Sequence, residues 1–364
     1  MKIKIIRSKF LEGLKKVQNI VAGQGSLQII QNAMIEAEDG KLNLVTTDLD
    51  ISIKSTVDCE VVESGATTLP VRLLFSTISS CAEGVVELES DVQDRARISA
   101  GSASFKLSGM NVSDFPALPS AEDAFAYTLP QATLREMLRK TAYAVSQDET
   151  RKTLKGVLMS FKEGKLTMVA TDGRRLALVE HEVEFPAAAE RDIILPSKVV
   201  AELQRSLSGD GDVKVTIEKS QVSFNLGYTQ IYSKLLDEIY PNYRQVIPTS
   251  SREKIVVDRK LLLDALDRAS VMTVEESSST RLTFEANQLL VSSVAVDIGE
   301  AKDIVPIKYS GEKIDIVFNP TYVKEPLKAI DEDEVTIELN NGSSPAIIRC
   351  SVPFLYVMMP LRIN

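Results

Sequence analysis

Two threonine–aspartate pairs have the residue types and the spacing to do chemistry. Thr47-Asp48 and Thr171-Asp172 lie 124 positions apart, each closing an apolar run, Leu44-Val-Thr-Thr-Asp48 and Met168-Val-Ala-Thr-Asp172. Such carboxylates could hold a divalent cation and activate water for phosphodiester cleavage. They could equally close tight turns. Gly173 takes positive φ without steric cost, which would leave Arg174 and Arg175 at an exposed cationic corner. Because the aspartates occupy matching points in two similar segments, the turn role is the stronger reading, with a metal-dependent nuclease as the rival. The single histidine, His181, sits between Glu180 and Glu182 with no Ser or Cys nucleophile motif beside it. The sequence has no phosphate-cradling glycine loop and no metal-ligand spacing. The expectation is a non-enzyme with no cofactor and no metal.

The elements that carry these pairs repeat. Leu176, Leu178 and Glu180 alternate with Ala177 and Val179, as expected of a strand leaving a hairpin, and Ile51-Ser-Ile-Lys54 does the same after Asp48. A weaker third copy, Leu289-Leu-Val-Ser-Ser-Val-Ala-Val-Asp-Ile298, keeps the strand and loses the Thr-Asp. Repetition governs the fold and is tested first. Amphipathic segments of helical period open each third, over 8–21, 132–145 and 260–271, with Leu14, Leu138 and Leu266 in matching places. A second helix in each third opens on or beside Pro70, Pro196 or Pro320, where a missing N–H costs nothing. Pro326 predicts a kink or a short helix in the third copy. Alternating strands close each third, including 85–90, 96–107, 213–217, 222–226, 229–233, 335–339 and 346–350. The predicted class is α+β: three repeated domains, 1–120, 121–249 and 250–364, each with two helices packed on antiparallel sheets.

Composition narrows the setting. The chain is 44% hydrophobic and 26% charged, enough for real cores and a polar surface. The amino-terminal residues alternate like a strand and lack the apolar core of a signal peptide. No run approaches the ~18–20 apolar residues of a membrane span. Cys59, Cys81 and Cys350 are odd in number and far apart, and read as buried thiols of a cytoplasmic protein. The net charge of −9 argues against tight wrapping of nucleic acid, provided the charge is evenly spread. It is not. Over the six helix candidates (9–21, 67–81, 131–145, 196–208, 258–271 and 319–330) Lys and Arg exceed Asp and Glu by seven, leaving −16 elsewhere. Glu favours helices as much as Lys does, so propensity alone does not produce this bias. Basic helices could attract a polyanion without reading its bases, and an acidic remainder limits nonspecific adhesion.

The threefold repeat, taken with Ala170-Thr-Asp-Gly-Arg-Arg-Leu-Ala177, Tyr240-Pro-Asn-Tyr-Arg-Gln-Val-Ile-Pro248, Phe115-Pro-Ala-Leu-Pro119 and Tyr356-Val-Met-Met-Pro-Leu-Arg362, resembles over the whole chain the bacterial sliding-clamp family, the beta subunit of DNA polymerase III. The resemblance implies DNA-clamp domains forming half of a six-domain ring. Two copies associate head to tail, and helices line a hole for double-stranded DNA. The implied partners are a second copy of the chain, the replicative polymerase catalytic subunit, the clamp loader and other proteins of replication and repair that carry a clamp-binding motif. No membrane is implied. The rival outside this family is a β-rich interaction scaffold with no DNA at its centre.

The resemblance also implies site residues. A partner-peptide pocket maps to Leu154, Thr171, Gly173, Arg174, Arg175, Leu176, Pro241, Val246, Val357, Met358, Met359, Pro360, Leu361 and Arg362. Apolar walls, adaptable methionines and a few donors suit a peptide, although the tail could simply be a last strand. Arg174 stands where the family usually has His, and Gln245 where a second Arg is common. Gly23-Gln-Gly-Ser26 lacks a basic residue often found in that loop. The DNA candidates are Arg72, Arg139, Lys140, Arg151, Lys152 and Lys198. The contact that closes the ring is expected from Phe105 and Leu107 on an edge strand, against Val271 and Met272. An uncovered apolar edge otherwise invites aggregation.

Overall fold

The computed structural model describes residues 1–21, 27–118, 125–271, 279–295, 299–351 and 353–362. The first third runs β1 (Lys2–Ile6), α1 (Arg7–Val17), β2 (Asn32–Glu38), β3 (Lys41–Thr47), β4 (Ile51–Asp58), β5 (Glu60–Glu63), β6 (Gly65–Pro70), α2 (Val71–Ser80), β7 (Val85–Ser90), β8 (Arg95–Ala100) and β9 (Ala103–Ser108). The second runs β10 (Phe125–Pro130), α3 (Gln131–Thr141), β11 (Gly156–Lys162), β12 (Lys165–Thr171), β13 (Arg175–Glu182), β14 (Arg191–Pro196), α4 (Ser197–Ser206), β15 (Asp212–Ile217), β16 (Gln221–Asn225) and β17 (Thr229–Lys234). The third runs β18 (Glu253–Asp258), α5 (Arg259–Ser270), β19 (Thr280–Glu285), β20 (Gln288–Ala295), β21 (Gly299–Pro306), β22 (Ile314–Phe318), α6 (Pro320–Ala329), β23 (Glu334–Leu339), β24 (Ala346–Arg349) and β25 (Phe354–Met358). The order strand, helix, four strands, helix, three strands is therefore repeated, with β5 as an addition in the first copy.

The helices form where apolar residues recur at helical spacing. Phe10, Gly13, Leu14 and Val17 are the buried face of α1, and Leu262, Ala265, Leu266 and Ala269 that of α5. The matching leucines Leu14, Leu138 and Leu266 are fully buried. Asn319 caps α6 by accepting from the Thr321 N–H at 2.9 Å. That helix runs through Pro326, whose ring is buried, and ends after ten residues.

A device the sequence did not reveal joins the two helices of each third. The first residue of the first helix reaches the last turn of the second helix, where carbonyls lack intrahelical partners, or the segment just beyond it. Arg7 donates to the Ile78 and Ser79 carbonyls at 3.1 and 2.7 Å. Gln131 donates to the Asp212 carbonyl at 3.2 Å and accepts from the Ser208 N–H at 3.3 Å. Arg259 donates to the Leu327 and Glu332 carbonyls at 3.0 and 2.6 Å.

Sheet topology departs from a simple reading of three separate thirds. Two compact units form, one of 1–134 with 201–235, the other of 135–200 with 236–364. The first holds a five-stranded sheet, β5-β1-β7-β8-β9, and an eight-stranded sheet, β10-β15-β16-β17-β4-β3-β2-β6. In the latter, β17 of the second third pairs with β4 of the first, from Thr229↔Ser55 to Ser233↔Ile51. The second unit holds β14-β11-β12-β13-β25-β24-β23-β18 and a four-stranded sheet, β21-β20-β19-β22. There β13 pairs with β25 of the last third.

Two expectations need correction. The stretch 96–107 is two strands, because Gly101 turns the chain at φ 56° between β8 and β9. Of the three thiols only Cys81 is buried; Cys59 and Cys350 are half-buried. Among the described residues no helix is long and apolar enough to cross a membrane.

Candidate functional site

The two Thr-Asp corners have the same geometry. In each, the threonine hydroxyl donates to the carbonyl four residues on, Thr47 to Ile51 at 3.1 Å and Thr171 to Arg175 at 2.6 Å. It also accepts the N–H two residues on, from Leu49 at 3.1 Å and Gly173 at 3.0 Å. The aspartate Oδ1 accepts the next two N–H groups, from Asp50 and Ile51 at 3.0 and 2.9 Å, and from Arg174 and Arg175 at 2.8 and 3.0 Å. Both carboxylates thus close turns. The residue after each takes positive φ: Gly173 at 85°, and Leu49 at 78°, where a side chain is strained. Among the described residues no group of three or more His, Cys, Asp or Glu side chains could hold a metal ion.

The corner at 171–175 differs from its twin in what surrounds it. Strand pleating and register place Leu158, Val169, Leu178 and Leu355 in one row across β11, β12, β13 and β25. A second row on the same face runs Thr171, Leu176, Val357 and Ile347. Leu158, Val169, Leu176, Ile194, Ile347, Leu355 and Val357 form one buried apolar cluster. Leu178, Leu236, Tyr240, Tyr243 and Ile247 pack against it and are only partly buried. Tyr240 is pinned there by its hydroxyl, which donates to the Val169 carbonyl at 3.3 Å, and burial pushes that phenol well above its usual pKa. The register-equivalent positions on the other eight-stranded sheet are Ser52, Lys54, Tyr232 and Gln230. That half of the scaffold is apolar in one copy and polar in the other, whereas Met34 and Val45, the counterparts of Leu158 and Val169, stay within an apolar cluster.

Beyond Leu176 lies Arg175, which is 9% exposed. Its Nε donates to Asp172 Oδ2 at 3.0 Å and its Nη2 to the Tyr143 carbonyl at 2.6 Å, while Nη1 pairs with Glu325 of α6. The guanidinium stacks 4.4 Å from the Tyr322 ring centroid. Burial disfavours its charge, but Tyr356, Glu325 and Asp172 more than offset this, so its pKa lies above the usual arginine value. Next to it opens a cleft of about 370 Å³ lined by Val145, Ser146, Gln147, Asp148, Arg151, Asp172, Arg174, Arg175 and Tyr322. Asp148 accepts from the Thr150 hydroxyl and N–H at 2.7 and 2.9 Å, which holds its carboxyl below the usual range.

The predicted pocket residues divide accordingly. Leu176 and Val357 face one another in the apolar cluster. Thr171, Gly173, Arg174 and Arg175 form the corner, and a Cβ at Gly173 would stand 2.8 Å from Arg151 Nη1. Leu154 is half-buried, with its carbonyl accepting the Ser146 N–H at 2.9 Å. Pro241 and Val246 are exposed on the covering segment. The Met359 N–H bonds the Arg174 carbonyl at 2.9 Å and the Leu361 N–H bonds the Val317 carbonyl of β22 at 2.7 Å, so the tail leaves the corner through Pro360 and Leu361 toward β22, with Arg362 following. Met359 and Leu361 are 44% and 39% exposed. Met358 is fully buried and alternates to the opposite face from Val357, so it is core and not wall. Sequence reasoning missed Leu158, Val169, Leu178, Ile347 and Leu355; alternation puts Leu158, Val169 and Leu178 on the face of Leu176, and Ile347 and Leu355 on that of Val357, but only the distant pairing of β13 with β25 joins the two halves.

The cationic candidates are less uniform than expected. Arg72, Lys152 and Lys198 are exposed, although partial burial lowers the Lys198 pKa. Arg151 donates to the Asp172 carbonyl at 3.0 Å and so belongs to the corner. Arg139 is engaged by Asp331, with one contact at 2.8 Å. Lys140 is a correction: it is 2% exposed and bonded to Glu136 at 2.6 Å, so it is not a surface cation. Among the described residues each of the six α-helices nevertheless carries net positive charge, +9 in total, which leaves −18 on the rest of the chain. For the expected contact between copies, β9 is an edge strand with Phe105 half-buried and Leu107 9% exposed. Val271 is 76% exposed, and Met272 lies outside the described residues.

Family models described as the N-terminal, central and C-terminal domains of the DNA polymerase III beta subunit match residues 1–119, 128–242 and 244–362. The chain is 32% identical over 364 residues to the beta sliding clamp of Chlamydia muridarum, covering 100% of both chains. The crystal structure of the DNA polymerase sliding clamp from Bacillus subtilis superposes with a TM-score of 0.96 at 28% identity, covering 100% of both. A sliding clamp from Bartonella birtlesii bound to griselimycin gives 0.94 at 32% identity, again over 100% of both.

Proposed function

The chain belongs to the DNA polymerase III beta subunit family, and on that premise we propose that it is a non-catalytic processivity factor, half of a head-to-tail homodimeric ring around duplex DNA. The observation that carries this reading is the charge partition: six helices at +9 on a chain of −9. In a ring with basic helices lining its bore, geometry prevents escape. Phosphate contacts can then stay few and loose, which keeps sliding fast and salt-tolerant compared with tight wrapping. A polymerase tethered to such a ring meets its template at high effective concentration. Three domains, near 1–120, 121–249 and 250–364, would supply half of the six.

Ring closure is assigned to the edge strand β9 of one copy and the edge strand β21 of another. β9 carries Lys106 beside Arg97 of β8, while β21 carries Glu300, Lys302 and Asp303, whose two acids are paired within the chain by Lys302 and Arg268. α5 packs on β21, and exposed Val271 follows α5, with Ile304 57% exposed on that strand. Two identical heterologous contacts close a two-membered ring. The apolar groove walled by Leu176, Val357, Leu178 and Tyr240 is assigned to peptides of the polymerase, the clamp loader and other partners, all met in the cytoplasm. Its neighbouring strands supply alternate pockets for an extended chain. The test is retention after ATP-driven loading. The protein should stay on circular duplex and run off the same DNA once linearised. Equal retention on both, or none on either, would overturn the ring.

A further inference from the structure

We propose that the other Thr-Asp corner, at 47–51, lines a second binding site, which takes the primary carboxamide of a glutamine side chain on a partner polypeptide. All of its residues belong to the unit of 1–134 with 201–235. A cleft of about 190 Å³, room for a single side chain, opens between this corner, the connector residues Pro116 and Ala117, and strands β16 and β17. It sits at an internally equivalent place. Phe115-Pro116 repeats Tyr240-Pro241, and each aromatic residue packs in or on an apolar cluster beside its own corner. Register sets Gln221 opposite Lys234 and Ser52 opposite Tyr232, which puts these four side chains on one face as the floor of the cleft.

Charge and hydrogen bonding select the ligand. The cleft holds one acid and one base, Asp50 and Lys234, and they pair with each other at 3.0 Å. Neither sign of charge is therefore favoured. The four hydroxyls of the lining already donate within the chain. Thr47 donates to the Ile51 carbonyl at 3.1 Å, Ser52 to Thr47 Oγ1 at 2.8 Å, Tyr232 to Gln230 Oε1 at 2.7 Å and Ser233 to the Lys234 carbonyl at 2.8 Å. Among the described residues nothing donates to the buried Oε1 of Gln221. The lining thus offers acceptors in excess and calls for a neutral donor. An unpaired buried acceptor is costly, and the terminal torsion of glutamine is soft, so the Gln221 amide can turn to meet one. A primary carboxamide is neutral and brings two N–H donors, where a hydroxyl brings one and a carboxylate none. Its carbonyl can accept from Lys234 Nζ, which keeps further N–H groups beyond the one given to Asp50. The remaining wall suits an aliphatic stem. Leu49 is 47% exposed at the mouth and is held at φ 78°, where the corner at 171–175 has Gly173, and Pro116 and Ala117 also line the cleft. Strain of this kind is retained where the surroundings use it.

The probe is N-acetylglutamine methylamide, titrated into the full chain carrying labelled leucine and alanine methyls and followed by NMR. It should shift the Leu49 and Ala117 methyls saturably. The capped glutamate analogue, which has the same shape but no N–H on its head group, should bind about fivefold more weakly, the worth of one ordinary hydrogen bond. Free glutamine should bind no tighter than the capped form. Gln221→Met should bring capped glutamine down to the level of capped glutamate. Its melting temperature should hold or rise, because the unpaired acceptor is gone. Leu49→Gly, which removes the apolar wall and leaves Gln221 in place, should weaken capped glutamine as well. Equal binding of the two capped compounds, a preference that survives Gln221→Met, unchanged affinity in Leu49→Gly, or no shift at Leu49 and Ala117 would overturn the site. Tighter binding of free glutamine than of the capped form would overturn the assignment to a polypeptide.

Discussion

Arg175 offers the sharpest test of how the groove is held. Its side chain is 8% exposed and joins the Thr-Asp corner to α6 through Asp172 and Glu325, whose own side chains are 14% and 32% exposed. Replacing it by alanine leaves two carboxylates and the Tyr143 carbonyl without their donor and removes the stack on Tyr322. Breaking a buried pair by removing one partner costs about 3–5 kcal/mol, and the partial exposure of Glu325 puts Arg175→Ala near the lower end. Glu325→Ala should cost about half as much, because Arg175 keeps Asp172. In the double variant the penalty for the stranded Glu325 disappears, so the combined loss should fall short of the sum by about 1 kcal/mol. Scanning calorimetry, read on the transition that includes 135–200 and 236–364, measures all three. Additive losses, or an Arg175→Ala loss below 1 kcal/mol, would show that the network does not hold the corner.

Deleting 359–364 removes the backbone bonds of Met359 to Arg174 and of Leu361 to Val317 but no strand, so the chain should stay folded and lose peptide binding in a calorimetric titration. Phe105→Ala should weaken self-association by about 2 kcal/mol if it is a hot spot, visible as a shifted dimer equilibrium in sedimentation. Charge reversal at Lys140 should lower the melting temperature rather than act only on loading, since it would bury a carboxylate beside Glu136; an unchanged melt would refute that. Loading defects are better sought with Arg72, Lys152 and Lys198 reversed together, assayed by retention on circular DNA. The Arg139 hydrogen bond holds Asp331 below the usual carboxylate range. Its stabilising effect is therefore complete above the unfolded value of about 3.9 and is lost as pH falls through the lower folded one. Arg139→Ala should return the Asp331 titration, followed by NMR, to the ordinary range.

Much of the fold was legible because it rests on local periodicity. Leu14, Leu138 and Leu266 mark the helices by spacing alone, and Thr47-Asp48 and Thr171-Asp172 specify the same four-bond corner wherever they occur. What could not be read was pairing at a distance. Nothing in Ser52 or Tyr232 says that β4 meets β17, and nothing in Leu178 or Leu355 says that β13 meets β25. Since the groove is made by that second pairing, half of its wall was hidden. The same limit explains Lys140 and Met358. Both fit the surface or pocket by residue type, and both are buried because of the neighbours that tertiary structure brings to them.

The ladder between β4 and β17 makes the covalent link between the first two thirds mechanically redundant. Severing the chain between Leu118 and Phe125 would leave the two pieces stitched by a continuous eight-stranded sheet, so a nicked or circularly permuted protein should keep its shape. Stress applied to one third is carried into the next through hydrogen bonds in shear, and a connector of a few residues need bear none of it.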